Sequence, residues 1–232
     1  MIKKLLLIFL LCVGTYHGTD YFCERQLAGP TLSLPNIPKE TILSNYRVAI
    51  QMINIETKEE ISAPIGTAVA IDETHLLTAY HVVAAYGIHL EYNIEMFDMK
   101  GHLIKTYTAN VIKSDEKVDL ALLVVKDKLP YFIKLDYMYN YKKLEVGNWL
   151  YSIGALFGSC PLDIKWGMFV METHEMFPYL GQTSNIVGPG DSGGGVYNPR
   201  TNKLIGIISR GDKALLFVTL PVIKDFLLDF PK

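Results

Sequence analysis

The chain has 232 residues, 50% of them hydrophobic, with 22 Lys+Arg against 24 Asp+Glu and a net charge of −2. That is enough apolar residue to build a sizeable core, as one domain or two tightly fused halves, and it excludes a disordered chain. The basic residues form no run or stripe, which argues against a nucleic-acid partner.

The chain opens with "MIKKLLLIFLLCVG", two lysines followed by nine apolar residues from Leu5 to Val13. A bilayer span needs about 20 such residues. The pattern therefore predicts a secretory signal over residues 1–14, removed on export to the periplasm or beyond, with no stable membrane insertion. Association with a membrane through an uncleaved or lipidated N-terminus is the alternative. Residues 15–44 hold Pro30, Pro35 and Pro38 with little periodicity and read as an extended leader. Of the three cysteines, Cys23 and Cys160 remain once Cys12 is lost with the signal. Export permits one disulfide between them, and two free thiols are the equal alternative. Their spacing suits no metal, and neither metal nor cofactor is assigned.

From residue 45 short runs rich in Val, Ile and Tyr alternate with polar turns. "YRVAIQMINI", "PIGTAVAID", "HLLTAY", "IHLEYNIEMF", "LIKTYTANVI" and "VDLALLVV" read as strands. "NWLYSIG", "IKWGMFVMET", "GGVYN", "KLIGIIS" and "ALLFVTL" follow in the second half. "FDMKGH" and "NPRTNK" suit hairpin turns, with Gly101 and Asn198 supplying the turn chemistry. Helix is predicted only at "YHVVAAY" and at the C-terminal "VIKDFLLDF", which Pro221 opens. Many short strands at close spacing predict an all-β barrel or sandwich. The aromatic loop from Lys126 to Glu145 joins two β-rich halves; its Tyr131, Tyr137, Tyr139 and Tyr141 half-pack against the domain or form a partner surface.

The chemistry centres on "VGPGDSGGGVYN", residues 187 to 198. A serine hydroxyl attacks at neutral pH only with a base in reach, an orienting partner for that base, and N–H donors for the oxyanion it creates. "GDSGG" places Ser192 beside Gly190, whose N–H is open to approach; turn-forming glycines alone would look the same. Every histidine precedes Ser192, the last being His174, which excludes the order of the α/β-hydrolase elbow. The Asp–His–Ser order belongs to folds with long helices, which this chain lacks. His81, where "HLLTAY" meets a small-residue helical turn, is the outstanding base. His17, His75, His89, His102 and His174 read as surface or satisfied core residues. Among the carboxylates between His81 and Ser192, Asp119 is set at the start of an apolar strand, where a buried charge needs a partner. A turn-capping aspartate is the alternative there.

"LLTAYHVV", "VDLALL" and "GPGDSGGGV" resemble the three blocks of trypsin-like serine proteases, and the chain is most similar to the bacterial HtrA-type branch without a PDZ domain. "SDEKVDLALLVVKD" and "LEVGNWLYSIGALFG" extend the likeness on either side of the connecting loop. The resemblance covers roughly Val48 to Leu228. It implies two six-stranded antiparallel β-barrels, the first over about 45–126 and the second over about 146–220, with a short helix at about 221–229. It implies His81 as base then acid, Asp119 as its orienting partner, Ser192 as nucleophile, and Gly190 and Ser192 as oxyanion hole. Ile186 and Val187 fall at the pocket floor, and Ser209, Arg210 and Gly211 on the strand that pairs with substrate backbone. An apolar residue is expected at the cleaved position of a protein or peptide substrate; the oligomeric state stays open, with a monomer favoured. A catalytically silent module of the same fold and a serine esterase are the alternatives. The chain departs from the family in three respects. Val82 stands where a cysteine follows the histidine, and no basic-site "IVGG" start is present, which leaves Asp191 without an N-terminal amine. No PDZ-like segment follows.

Overall fold

Alternation with a period of two decides most of this structure, a computed structural model that describes residues 36–53, 60–84, 91–139, 144–171, 179–211 and 214–229. The expected signal peptide, most of the expected leader, Cys23 and Tyr141 lie outside those residues. A short helix α1 (Lys39–Leu43) leads into β1 (Asn45–Ile53), β2 (Glu60–Ala70) and β3 (His75–Thr78). Helix α2 (Tyr80–Ala84), β4 (Tyr92–Phe97), β5 (Leu103–Asp115) and β6 (Leu120–Val125) follow. These six strands close into an antiparallel barrel in the order β1-β2-β3-β6-β5-β4. After the connecting loop come β7 (Trp149–Gly154), a 3₁₀ turn at Leu156–Gly158, β8 (Asp163–Met171) and β9 (Leu180–Thr183). Then β10 (Gly195–Asn198), β11 (Lys203–Gly211), β12 (Leu215–Thr219) and α3 (Leu220–Phe226) complete the chain. The second closed barrel runs β10-β11-β12-β9-β8-β7. The fold is all-β with a short C-terminal helix.

The run "LALLVV" of β6 is apolar throughout because both of its faces are buried. Ala121, Leu123 and Val125 point into the first barrel with Tyr46, Val48 and Ile94. Leu120 and Leu122 point the other way, into a cluster with Tyr151, Ile153, Tyr197, Ile207 and Val218 of the second barrel. Val69 of β2 and Leu77 of β3 join that cluster, so the seam between the barrels is a continuous apolar core. Each fully buried leucine there contributes roughly 1.5–3 kcal/mol. A polar strut crosses the same seam: Asn45 Nδ2 donates to the buried Tyr197 hydroxyl (2.8 Å) and Asn45 Oδ1 accepts the Gly195 N–H (3.1 Å).

The connecting loop half-packs on the molecule. Leu129 is buried in the first barrel's core, with Tyr131 and Phe132 packed against it. Tyr139 accepts a hydrogen bond from Asn198 Nδ2 (2.9 Å). The expected turn "FDMKGH" is a β4–β5 hairpin with Gly101 at φ +84°, and "NPRTNK" joins β10 to β11. In the latter the left-handed residue is Asn202 (φ +53°), while Asn198 accepts the Arg200 N–H (2.9 Å). Strand β9 has no counterpart among the expected strands: "LGQT" has no alternation to read. Cys160 carries a free thiol.

Candidate active site

Ala79 alone separates β3 from α2, which buries Val82 and Val83 and leaves His81 facing outward. Val82, in the position where trypsin-like proteases carry a cysteine, packs its methyls against Gly66; a Cβ on that glycine would come within 2.7 Å of them. Opposite, a tight turn at 116–119 ends at Asp119 in a left-handed conformation (φ +57°) and swings its carboxylate toward α2. The His81 side chain is 47% exposed and that of Asp119 only 4%. His81 Nδ1 lies 3.0 Å from both Asp119 oxygens, and the His81 backbone N–H donates to Oδ1 at 3.0 Å. Burial, the largest single influence, pushes the Asp119 carboxyl up. The hydrogen bonds and charge of His81, with a further bond from the Ser209 hydroxyl, outweigh it and hold the carboxyl below its ordinary value. An ionised Asp119 fixes the proton of neutral His81 on Nδ1 and leaves the Nε2 lone pair facing out.

Ser192 lies on the loop from Val187 to Gly194. Its hydroxyl donates to the Ser209 carbonyl (3.2 Å), and among the described residues it makes no bond to His81. Ser209 therefore touches both Asp119, through its hydroxyl, and Ser192, through its carbonyl. It can do so because a β-bulge between Ile208 and Arg210 drops Ser209 out of the β11–β12 ladder. Sequence reasoning puts Ser209 on a substrate-pairing strand and misses its bond to Asp119; a bulge leaves no composition signal. Gly190 has φ +98°, and a Cβ there would meet the Ala155 carbonyl at 2.1 Å, so only glycine fits. The N–H groups of Gly190 and Ser192 donate to no protein acceptor among the described residues.

Asp191 is not left unpaired. Its carboxylate, 1% exposed, forms a short ion pair with Lys165 of β8, itself 19% exposed, and accepts the Gly188 N–H (2.8 Å). Burial is the largest influence on this carboxyl and pushes it up; Lys165 and the Gly188 N–H oppose burial without overcoming it, and Asp163 adds to the rise. The other oxygen, Oδ1, is buried with no hydrogen-bond partner among the described residues. The partner was readable in principle: Lys165 stands in phase with the buried Gly167 and Phe169, where a lysine needs an anion.

The remaining expected residues divide. Val187 is buried, 7% exposed, in the second barrel's core, while Ile186 is 68% exposed. Ile186 thus sits on the surface, not at the base of an enclosed pocket. Gly211 borders Val187, whose Cγ2 would lie 2.3 Å from an added Cβ. Arg210 is exposed, with Nε 3.4 Å from the Ser209 hydroxyl.

Two closed six-stranded barrels with this loop set define the chymotrypsin-like fold. The chain belongs to the family "Trypsin-like peptidase domain", whose profile matches residues 66–207. It is 28% identical over 175 residues to the "Probable periplasmic serine endoprotease DegP-like" of Rickettsia prowazekii (strain Madrid E), covering 72% of this chain and 32% of that protein. A protein of the same description from Hahella chejuensis (strain KCTC 2396) is 32% identical over 142 residues, 59% of this chain and 27% of that one. The chain thus spans about a third of the length of the curated relatives it matches. Among solved structures it resembles the HtrA-type protease AlgW with decapeptide (TM-score 0.65, 19% identity, 81% of this chain and 65% of that one). It also resembles the MamO protease domain from Magnetospirillum magneticum (TM-score 0.64, 16% identity, 82% of this chain and 98% of that one). Both likenesses bear on the fold alone.

Proposed function

We propose that the protein is a serine endopeptidase that hydrolyses peptide bonds through an acyl-enzyme. The observation that carries the reading is the buried Asp119 carboxylate, which takes both Asp119–His81 contacts and meets, through Ser209, the nucleophile candidate Ser192. In this mechanism the Ser192 hydroxyl rotates from the Ser209 carbonyl to Nε2 of His81, which takes its proton as Oγ attacks the substrate carbonyl. Catalytic hydrogen bonds of this kind commonly tighten only with substrate bound. Asp119 stabilises the imidazolium that forms and keeps its own charge, as the aspartate of a Ser–His–Asp triad does. The N–H groups of Gly190 and Ser192 donate to the developing oxyanion. His81 then protonates the leaving amine, and water repeats the sequence on the acyl-enzyme.

The substrate reading is a protein or peptide with an apolar residue at the cleaved bond. The segment from Ser184 to Gly188, which leads into the nucleophile loop, exposes Ile186 and contains no charged residue, which supports that preference. Ser209 to Gly211 pair with the substrate backbone. Export is part of the same proposal, supported by the lysine-led apolar N-terminus and by the periplasmic description of the relatives. No helix among the described residues is long and apolar enough to cross a membrane. The test is labelling with a fluorophosphonate probe together with turnover of a peptide library. Wild-type protein labels at Ser192 and cleaves after apolar residues, and Ser192→Ala does neither. Folded wild-type protein that stays unlabelled overturns the reading.

A further inference from the structure

We propose that Thr67, a residue of the first barrel, is a positioning residue for the oxyanion hole of the second. The proposal rests on the peptidase reading above. An oxyanion donor accelerates a reaction only if its peptide plane is held before charge develops. Gly190, at φ +98°, is the swivel of this loop, and a glycine backbone does not fix its own conformation. The planes on either side of it are fixed from outside. The Pro189 carbonyl accepts the Phe157 N–H (2.7 Å), which turns the N–H of Gly190 the opposite way. The Gly190 carbonyl accepts the Thr67 hydroxyl (2.8 Å).

Thr67 supplies the second anchor and touches the segment that carries the first. Its Oγ1 also accepts the Ala155 N–H (2.9 Å), and Ala155 leads directly into the turn that carries Phe157. One hydroxyl, donating once and accepting once, thus ties the Gly190 loop to the 155–157 segment. Thr67 is itself held on both sides of its backbone. Its N–H donates to the Ser192 carbonyl (2.8 Å), and its carbonyl accepts the Thr78 hydroxyl (2.7 Å). The residue is fully buried and projects from β2 across the seam between barrels. Oxyanion-hole geometry is therefore completed by docking of the first barrel, not by the second alone.

The test compares Thr67→Val, which removes the hydroxyl, with Thr67→Ser, which keeps it. Two readouts are taken, peptide turnover and NMR amide exchange. Thr67→Val lowers kcat by about 10- to 100-fold with KM little changed, the signature of a donor displaced in the transition state. It also speeds exchange at the Ala155 and Phe157 amides but not in β11. Thr67→Ser restores both readings, and Thr67→Ala gives those of Thr67→Val should the latter not fold. Wild-type kcat with unchanged exchange in Thr67→Val overturns the proposal, as does a Thr67→Ser variant as impaired as Thr67→Val. If wild-type protein turns over no peptide, the peptidase reading and the oxyanion-hole role fail with it, and the exchange rates then decide only the anchoring of the Gly190 loop by Thr67. Faster exchange upholds it and unchanged exchange overturns it.

Discussion

Asp119 occupies a backbone region that few side chains tolerate, φ +57°, one residue before β6. Aspartate and asparagine are the side chains that enter it most readily. Asp119→Asn is therefore a clean test, since it keeps the turn and removes the charge. It is expected to preserve the fold and cut kcat by about four orders of magnitude, measured on a fluorogenic peptide. The two carboxylates of the site respond to acid with opposite signs. The folded-state value of Asp119 is lowered, so the unfolded chain takes its proton first. The stability it contributes is present above the unfolded value of about 4 and is lost as pH falls through the folded one. Asp191 is raised, so the folded protein takes that proton first, and acidification from its folded value toward the unfolded one relieves a cost. Urea midpoints followed from about pH 6 to pH 3 are expected to fall less steeply for Asp119→Asn than for wild type, and more steeply for Asp191→Asn. At this scale the sequence was legible where chemistry demands an unusual residue in an unusual place: His81 on a small-residue turn, Asp119 against an apolar run. Ser209 and Thr67 were not, because their roles depend on a bulge and on a contact between barrels, and a serine or threonine in a strand is unremarked.

Among the elements, β8 supplies the cation that holds Asp191. Lys165 is paired in register with Ser152 of β7 and points inward beneath the nucleophile loop. Breaking a buried ion pair on one side strands a charge, whereas removing both partners does not. Lys165→Met is expected to destabilise the protein by about 3–5 kcal/mol, and Lys165→Met combined with Asp191→Asn by clearly less. Lys165→Arg keeps the charge and most of the stability. Urea denaturation of wild type, Lys165→Met, Asp191→Asn and the double variant completes the cycle, and additivity of the single changes would contradict a coupled pair. Eleven strands were visible as alternation or as short apolar runs; β9 was not, because Gly181 and Gln182 break its pattern and its place is set by pairing with β12. Gly181 is required there by packing, since a Cβ would meet the Phe217 ring at 2.5 Å.

Across the molecule, the apolar seam makes the two barrels one unit. Leu122→Ala empties a fully buried site in that seam and is expected to cost about 2–5 kcal/mol, measured by urea denaturation. The two tryptophans, Trp149 and Trp166, both belong to the second barrel, so their fluorescence reports that barrel alone. In wild-type protein it is expected to change at the same urea concentration as the circular dichroism of the whole chain; separate transitions would show that the seam does not couple the barrels. The division into two halves was legible from the aromatic loop between two runs of strands. The closure of each sheet was legible only through the resemblance to trypsin-like proteases, because alternation alone fits barrel and sandwich equally and which strands meet is a matter of topology. That closure bears on the proposed peptidase activity. Each strand of both barrels has a paired neighbour on both sides, so neither sheet has an edge strand, and only overhanging stretches such as Ser209–Gly211 keep one side open. Under the peptidase reading, a second copy finds no whole edge strand to draw into its own cleft, and autolysis of the folded protein is expected chiefly in its loops.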